Sequence, residues 1–423
     1  MNLRYSLNSI FNKTLSPCHS KKGYNLSIEQ YRGLCALLVF IYHATNLEYL
    51  VIDHYWLPRF TDYIGAGNLS VLIFFCISGY VIGINHNTSK LRAWDYLKKR
   101  AVRLYPIYIV SILICIYVSA KTPLYVIVTN LFFLQNSFPY IKITIPVFAN
   151  PATWSLNYEV LYYLLFIPLF YIRPKLWQIL LCLLAPTLLF IHCPKTMIFI
   201  INYINAYYFW ILGLILAWST TTKNTINNNC VVPLLSLMLL QICLNNLNVG
   251  LMILHTLGIY TLVNVDWLFN LPFCLMVMCI LTGTNNTFLK INKILCYMLP
   301  AFVFIYLMAH HRFGEIVRWR ICLVEWILAV LLCFETRISG FLMNKLTGVG
   351  KISYAIYLLH IPVGMLIKET VFISDKKTEA IVKYILWFTI TFALSYLLER
   401  VMQPAIKRFF FPKPAMQSNL SGS

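Results

Sequence analysis

Apolar residues arrive in blocks close to the ~20 residues that an α-helix needs to cross a bilayer, and they recur nearly to the C-terminus. The blocks predict spans at 27–47 and 69–84, a third starting at Leu104, and a fourth opening at Thr153 and stopping at Arg173-Pro174-Lys175. Further spans follow at 176–191, 203–218, 352–371 and 381–401. Up to five apolar segments lie between Val231 and Glu335. Counting all five gives an odd total and an outer C-terminus, against the evidence of Lys407, Arg408 and Lys413, so one or three must be re-entrant, interfacial or merged. The expectation is an all-α polytopic transmembrane helix bundle with about 10–12 spans.

The polar separators orient these blocks. Residues 90–103 carry Lys90, Arg92, Lys98, Lys99, Arg100 and Arg103 against Asp95 alone, whereas 48–62 carry Glu48, Asp53 and Asp62 against Arg59. The positive-inside bias therefore places the basic loop and both tails (1–25 and 406–423) in the cytoplasm and 48–62 outside. The aromatic, weakly charged stretch 121–151 reads as an outer loop lying on or dipping into the membrane. The Thr- and Asn-rich linker 220–229 divides a front half from a back half. Residues 1–25 lack the apolar core of a signal peptide.

Composition narrows the class. Of 423 residues, 60% are hydrophobic and 11% charged, which excludes an ordinary soluble globule. The net charge of +20 sits in short loops, so it reflects topology and not nucleic-acid binding. Thirteen cysteines form no CxxC pair, and Cys35, Cys76, Cys115 and Cys333 fall in apolar segments, as packing residues do, not as disulfides or metal ligands.

A few polar side chains interrupt the apolar blocks. In the first span, opened by a Ser27/Gln30 capping pattern, the run from Tyr31 to Ala44 is apolar except for Arg32 and His43. At ~100° per residue they lie within ~20° of one face and roughly 16 Å apart along the axis. They either face a polar cavity, or snorkel and bond a neighbouring helix respectively. Glu159 enters an inward-running span by about five residues and so shares an outer depth with His43. The two can act as a base and its orienting carboxylate, or as an ion pair clamping two helices. Ser353, Tyr357 and His360 form a polar stripe that either lines a site or joins helices. Ser78-Gly79 is assigned to close helix packing.

Taken together, Tyr31-Arg32-Gly33-Leu34 with His43, Phe74-Phe75 with Ser78-Gly79-Tyr80, Arg100-Ala101-Val102-Arg103-Leu104-Tyr105-Pro106, Trp154-Ser155-Leu156-Asn157-Tyr158-Glu159, and Ile352-Ser353-Tyr354 with Tyr357-Leu358 and His360 resemble acyltransferase family 3. These are integral membrane O-acyltransferases that modify bacterial cell-surface glycans. The resemblance covers about residues 25–405 and implies a membrane acyltransferase domain over 26–405 in the cell membrane. The donor it implies is cytoplasmic acyl-CoA, usually acetyl-CoA, with no metal. The acceptor is a hydroxyl of a cell-surface or lipid-linked glycan, and membrane lipid and polysaccharide-biosynthesis proteins are the other partners. Carried over by position, His43 and Glu159 are catalytic, Arg32, Arg100 and Arg103 bind the donor, and Ser155, Ser353, Tyr357 and His360 line the site. Val160 departs from the family's pattern, standing where many members have a second glutamate, and the 231–335 region is longer than the family's usual spacing. No soluble SGNH-type domain follows the last span, which favours direct transfer or a separate partner. The competing classes are a flippase or transporter of a lipid-linked saccharide, with His43 and Glu159 as proton relay, and a structural subunit of an export complex.

Overall fold

The computed structural model describes residues 26–44, 66–86, 90–119, 122–135, 150–190, 198–219, 231–258, 265–283, 287–316, 319–334 and 339–412. Every regular element among them is helical. The front half comprises α1 (Leu26–Ala44), α2 (Gly67–Asn85), α3 (Ala93–Val118), α4 (Leu124–Leu131), α5 (Trp154–Ile172), α6 (Leu176–Phe190) and α7 (Ile198–Ser219). The back half contains α8 (Val231–Asn246), α9 (Val249–Thr256), α10 (Leu271–Thr282), α11 (Thr287–Ala309) and α12 (Trp319–Phe334). The chain then returns through α13 (Ser339–Gly350), α14 (Ser353–Thr370), α15 (Lys376–Tyr396) and α16 (Gln403–Phe410). A π-helical turn, Leu397–Met402, joins the last two.

Among the described residues, six helical stretches are long and apolar enough to cross a membrane: Gly67–Asn85, Ala93–Val118, Pro151–Ile172, Ile200–Trp218, Lys290–Ala309 and Lys376–Phe410. The chain is a multi-pass membrane protein. The pair Pro233–Asn246 and Val249–Thr256, bent by 46°, makes a seventh if it is one broken span. This bend bears on the crowded 231–335 region. Its five apolar segments include a broken pair, and α10, at 12 residues, extends only ~18 Å against a ~30 Å hydrocarbon core.

Two local expectations change. The third helix starts at Ala93, not Leu104, so the basic stretch is helical and Arg100 and Arg103 stand about one turn apart on α3. Asp95 in the first turn suits the positive end of the helix dipole, and Lys and Arg are good helix formers. In the 121–151 stretch, α4 folds back along α3. Tyr108 and Tyr105 donate to the carbonyls of Asn130 (2.9 Å) and Leu131 (3.0 Å), and Phe133 stacks on Tyr108 at 4.6 Å. The rest of that stretch, 136–149, lies outside the described residues, as do 45–65.

Glycine pairs set the tightest helix crossings. A Cβ on Gly79 of α2 would collide with the backbone carbonyl of Trp210 in α7, and one on Gly213 of α7 would meet that of Cys76. Gly33 of α1 and Gly350 of α13 are matched in the same way, through the carbonyls of Leu346 and Glu29. Such contacts let backbones approach where no hydrophobic effect drives helix association. Gly213→Val should therefore overpack α2 against α7 and cost at least the ~1–3 kcal/mol of ordinary overpacking. Gly348→Ala, whose Cβ meets nothing within 4 Å, should be neutral or stabilise by ~0.5–1 kcal/mol. Thermal unfolding of both variants in detergent checks this; equal melting temperatures would count against the close crossing.

Candidate functional site

The site is built on α14, and its geometry starts from a missing hydrogen. Pro362, inside α14, has no backbone N–H, so the carbonyl of Leu358 four residues earlier has no helical donor. Two side chains replace it: Ser111 Oγ of α3 donates at 3.1 Å and Asn150 Nδ2 at 2.8 Å. Asn150 Nδ2 also bonds Ser111 Oγ at 3.0 Å, closing a buried three-way knot. The Asn150 carbonyl accepts from Thr153 N (3.1 Å) and Thr153 Oγ1 (2.9 Å), forming the Pro151–Thr153 turn that launches α5. Tyr357 of α14 donates to the Ala152 carbonyl of that turn at 2.7 Å, and its hydroxyl lies 2.8 Å from Ser155 Oγ at the head of α5.

This framework borders a cavity of about 160 Å³. It is lined by Arg32 of α1, Ser78 of α2, Arg100 and Arg103 of α3, Ser155, Glu159 and Tyr163 of α5, and Ser353, Tyr354 and Tyr357 of α14. The seven site residues expected apart from the two histidines, namely Arg32, Arg100, Arg103, Ser155, Glu159, Ser353 and Tyr357, are thus brought to one place from four helices.

The charges in the cavity are unequally matched. Arg32 pairs with Glu29 one turn away at 3.1 Å. Arg103 pairs with the buried Glu399 at 2.6 Å and lies over the Tyr354 ring. Arg100 makes no ion pair among the described residues. Its guanidinium lies 5.3 Å from the Tyr96 ring and 5.4 Å from that of Tyr163, and its buried Nε has no hydrogen-bond partner among the described residues. Glu159 accepts from Ser78 Oγ at 2.7 Å and from Tyr163 OH. Ser353 is 1% exposed, and its Oγ also has no hydrogen-bond partner among the described residues.

Neither histidine lines the cavity: His360 lies one turn beyond Tyr357 on α14, where it meets His43 of α1. His360 has its ring centroid 6.2 Å from that of Tyr357, and its Nε2 is 3.2 Å from His43 Nδ1. Glu159 and His43, expected at one depth, do not bond each other: Glu159 is occupied by α2 and α5 hydroxyls and His43 by Val39 O and His360. Equal depth along two helices does not fix which way each side chain faces.

Several contributors escaped the sequence reading. Ser78, assigned to packing, donates to Glu159, while the adjacent Gly79 makes the close helix crossing. Tyr163, four residues after Glu159, was a readable signal, because an i, i+4 pair shares a helix face. Glu399, a carboxylate inside the last apolar block, was equally visible as a residue needing a partner. The pairing of His360 with His43, across 317 positions, left no local signal.

A family model for an acyltransferase domain matches residues 25–400. The chain is a member of acyltransferase family 3. No curated protein and no solved structure matches it significantly. Membership makes it an acyltransferase embedded in a membrane, and it places the cavity within the matched domain.

The Leu358 knot can be tested in this acyltransferase. Ser111→Ala and Asn150→Ala each leave the other donor in place, whereas the double variant orphans a buried carbonyl at a cost of ~1–3 kcal/mol. The expected outcome is coupling between the two substitutions in a double-mutant cycle of thermal stability. Strict additivity would mean that the two side chains do not share the Leu358 carbonyl.

Proposed function

We propose that the protein transfers an acyl group, acetyl in the first instance, from cytoplasmic acyl-CoA to a hydroxyl of a cell-surface or lipid-linked glycan. The observation that carries the reading is one cavity that gathers Arg100, which makes no ion pair among the described residues, with Arg32, Arg103, Ser155, Ser353 and Tyr357, while His360, one turn past Tyr357 and outside the lining, meets His43. Acyl-CoA combines phosphates with a slim arm ending in a thioester. Arg100 and Arg103 suit the phosphates through charge-assisted bonds. The pantetheine arm runs past Arg32, Ser353 and the Ser155–Tyr357 pair, bringing its thioester toward His43.

The chemistry follows from an imidazole at the far end. The acceptor hydroxyl gives its proton to His43 as its oxygen bonds to the thioester carbonyl carbon. The C–S bond then breaks, and the departing thiolate takes the proton back from His43. A two-step route, in which His43 itself accepts the acyl group before the sugar does, uses the same residues. Glu159, bonded to Ser78 and Tyr163 beside Arg100, acts on the donor side of the cavity in this reading. The glycan acceptor is supported by the family resemblance alone. A transporter would reuse His43 and Glu159 as a relay, but their separate partners weaken that alternative.

Three outcomes test the proposal. His43→Ala should lower transfer from radiolabelled acetyl-CoA by on the order of 10²–10⁴ while leaving acetyl-CoA binding nearly intact. Wild-type transfer by that folded variant would sink the assignment. Arg100→Ala should weaken acetyl-CoA binding by ~10- to 100-fold, the worth of one or two charge-assisted bonds, and flatten its salt dependence; unchanged affinity would leave the arginine a topology signal only. Reporter fusions after residue 90 and after residue 412 should report cytoplasm and fusions within 50–63 the outside, the reverse pattern placing the donor cavity on the wrong face.

A further inference from the structure

His43 and His360 meet ring to ring, and their backbone neighbours fix which nitrogen carries the proton. His43 Nδ1 lies 2.9 Å from the carbonyl of Val39, which can only accept, so the hydrogen sits on Nδ1. His360 Nδ1 lies 3.1 Å from the carbonyl of Ile356, so its hydrogen also sits on Nδ1. In the neutral ring, His360 Nε2 is then a bare lone pair facing His43 Nδ1 at 3.2 Å. The His43 hydrogen is shared between Val39 O and His360 Nε2. His43 Nε2 is left as the free basic nitrogen, a tautomer assigned from the network of bonds.

We propose that His360 is a positioning residue for the acyl transfer. It holds His43 with Nε2 as the base, and it takes up part of the positive charge through the Nδ1–H bond while His43 carries the acceptor's proton. The proposal rests on the reading of His43 as the base. The acceptor's O–H bond breaks, the proton bonds to His43 Nε2, and the His43 Nδ1–H to His360 Nε2 bond becomes charge-assisted and stronger. When the thiolate leaves, the proton passes from His43 Nε2 to sulfur, and the pair returns to its starting tautomers. Over the whole cycle the pair takes up one proton and gives one up, so its net proton count is unchanged.

The surroundings suit a fixed partner. His360 is fully buried, and its carbonyl accepts from Trp387 Nε1 of α15 at 2.5 Å. Trp387 stacks at 3.9 Å on Phe40, which is one turn before His43 in α1, so one aromatic clamp holds both histidine-bearing helices. Among the described residues, three tyrosines stand around the pair. Tyr42 stands edge-on to His43, Tyr357 is near His360, and Tyr384 is committed to the Ala44 carbonyl. Among the described residues, no carboxylate bonds either imidazole, so a neutral imidazole does the orienting that an acid does in a catalytic triad.

The test compares His360→Ala with His360→Gln in the full-length detergent-purified protein. Acetyl-CoA labelled in the acetyl group is the donor, and label reaching water or extracted envelope glycan is counted. A glutamine amide oxygen can accept from His43 Nδ1–H but cannot hold a proton. His360→Ala should lower kcat by roughly 10- to 100-fold, less than loss of the base itself, with KM for acetyl-CoA unchanged. His360→Gln should recover a substantial part of that loss. Wild-type kcat in His360→Ala would overturn the proposal. Equal losses in both variants, tracking a fall in melting temperature, would make His360 a packing residue and overturn it too. Transfer that survives His43→Ala would remove the underlying reading instead, and is read from that separate variant.

Discussion

One absent hydrogen bond organises the site. Because Pro362 cannot donate, the Leu358 carbonyl turns outward from α14, and buried in a membrane protein it must be satisfied by something else. Ser111 brings α3 to it and Asn150 brings the turn before α5. The same turn of α14 carries Tyr357 on one side of the gap and His360 on the other. A helix with an intact ladder would offer nothing at this position to hold α3 and α5. The proline therefore does more than kink a helix: the acceptor it frees joins the arginine-bearing helix, the carboxylate-bearing helix and the histidine-bearing helix at one point.

The electrostatics divide the site into a charged end, the cavity, and a neutral end, the histidine pair beyond its lining. At the charged end the guanidiniums of Arg32 and Arg103 are matched by Glu29 and Glu399, leaving Arg100 sandwiched between aromatic faces. A planar cation stacked on tyrosine is held in orientation without its N–H edge being used up. At the neutral end two imidazoles share one hydrogen, beside tyrosines and Trp387.

Much of this was legible in the residues. The apolar blocks disclosed helices, because length and hydropathy are local properties, and rare polar residues inside those blocks disclosed Arg32, His43, Glu159 and the Ser353–Tyr357–His360 stripe, because each is costly in a membrane. Partnership was not legible. Depth along an axis could be counted for His43 and Glu159, but azimuth depends on packing, and α5 turns Glu159 toward Ser78 and Tyr163. The helical start at Ala93 was obscured because a run of Lys and Arg satisfies both a loop and an exposed helix. The break at Asn246–Val249 did carry a local signal in Asn245, Asn246 and Asn248, but the 46° angle between the two helices is set by packing.

The last helix connects the charged and neutral ends of the site, and its spacing explains the π turn. Lys383, Trp387, Thr391, Ser395, Glu399 and Gln403 recur every fourth residue, and all are buried. In an ideal α-helix a stride of four drifts by ~40° per step, so such a row would soon rotate away from its neighbours. The wider turn at Leu397–Met402 adds a residue to the repeat and rotates the row back. That correction presents Glu399 to Arg103 and Gln403 Nε2 to the Val102 carbonyl at 2.7 Å, while Trp387 still reaches His360. One helix thereby braces Arg103 and the histidine pair together, so the separation between them is set by a rigid rod and not by a loop.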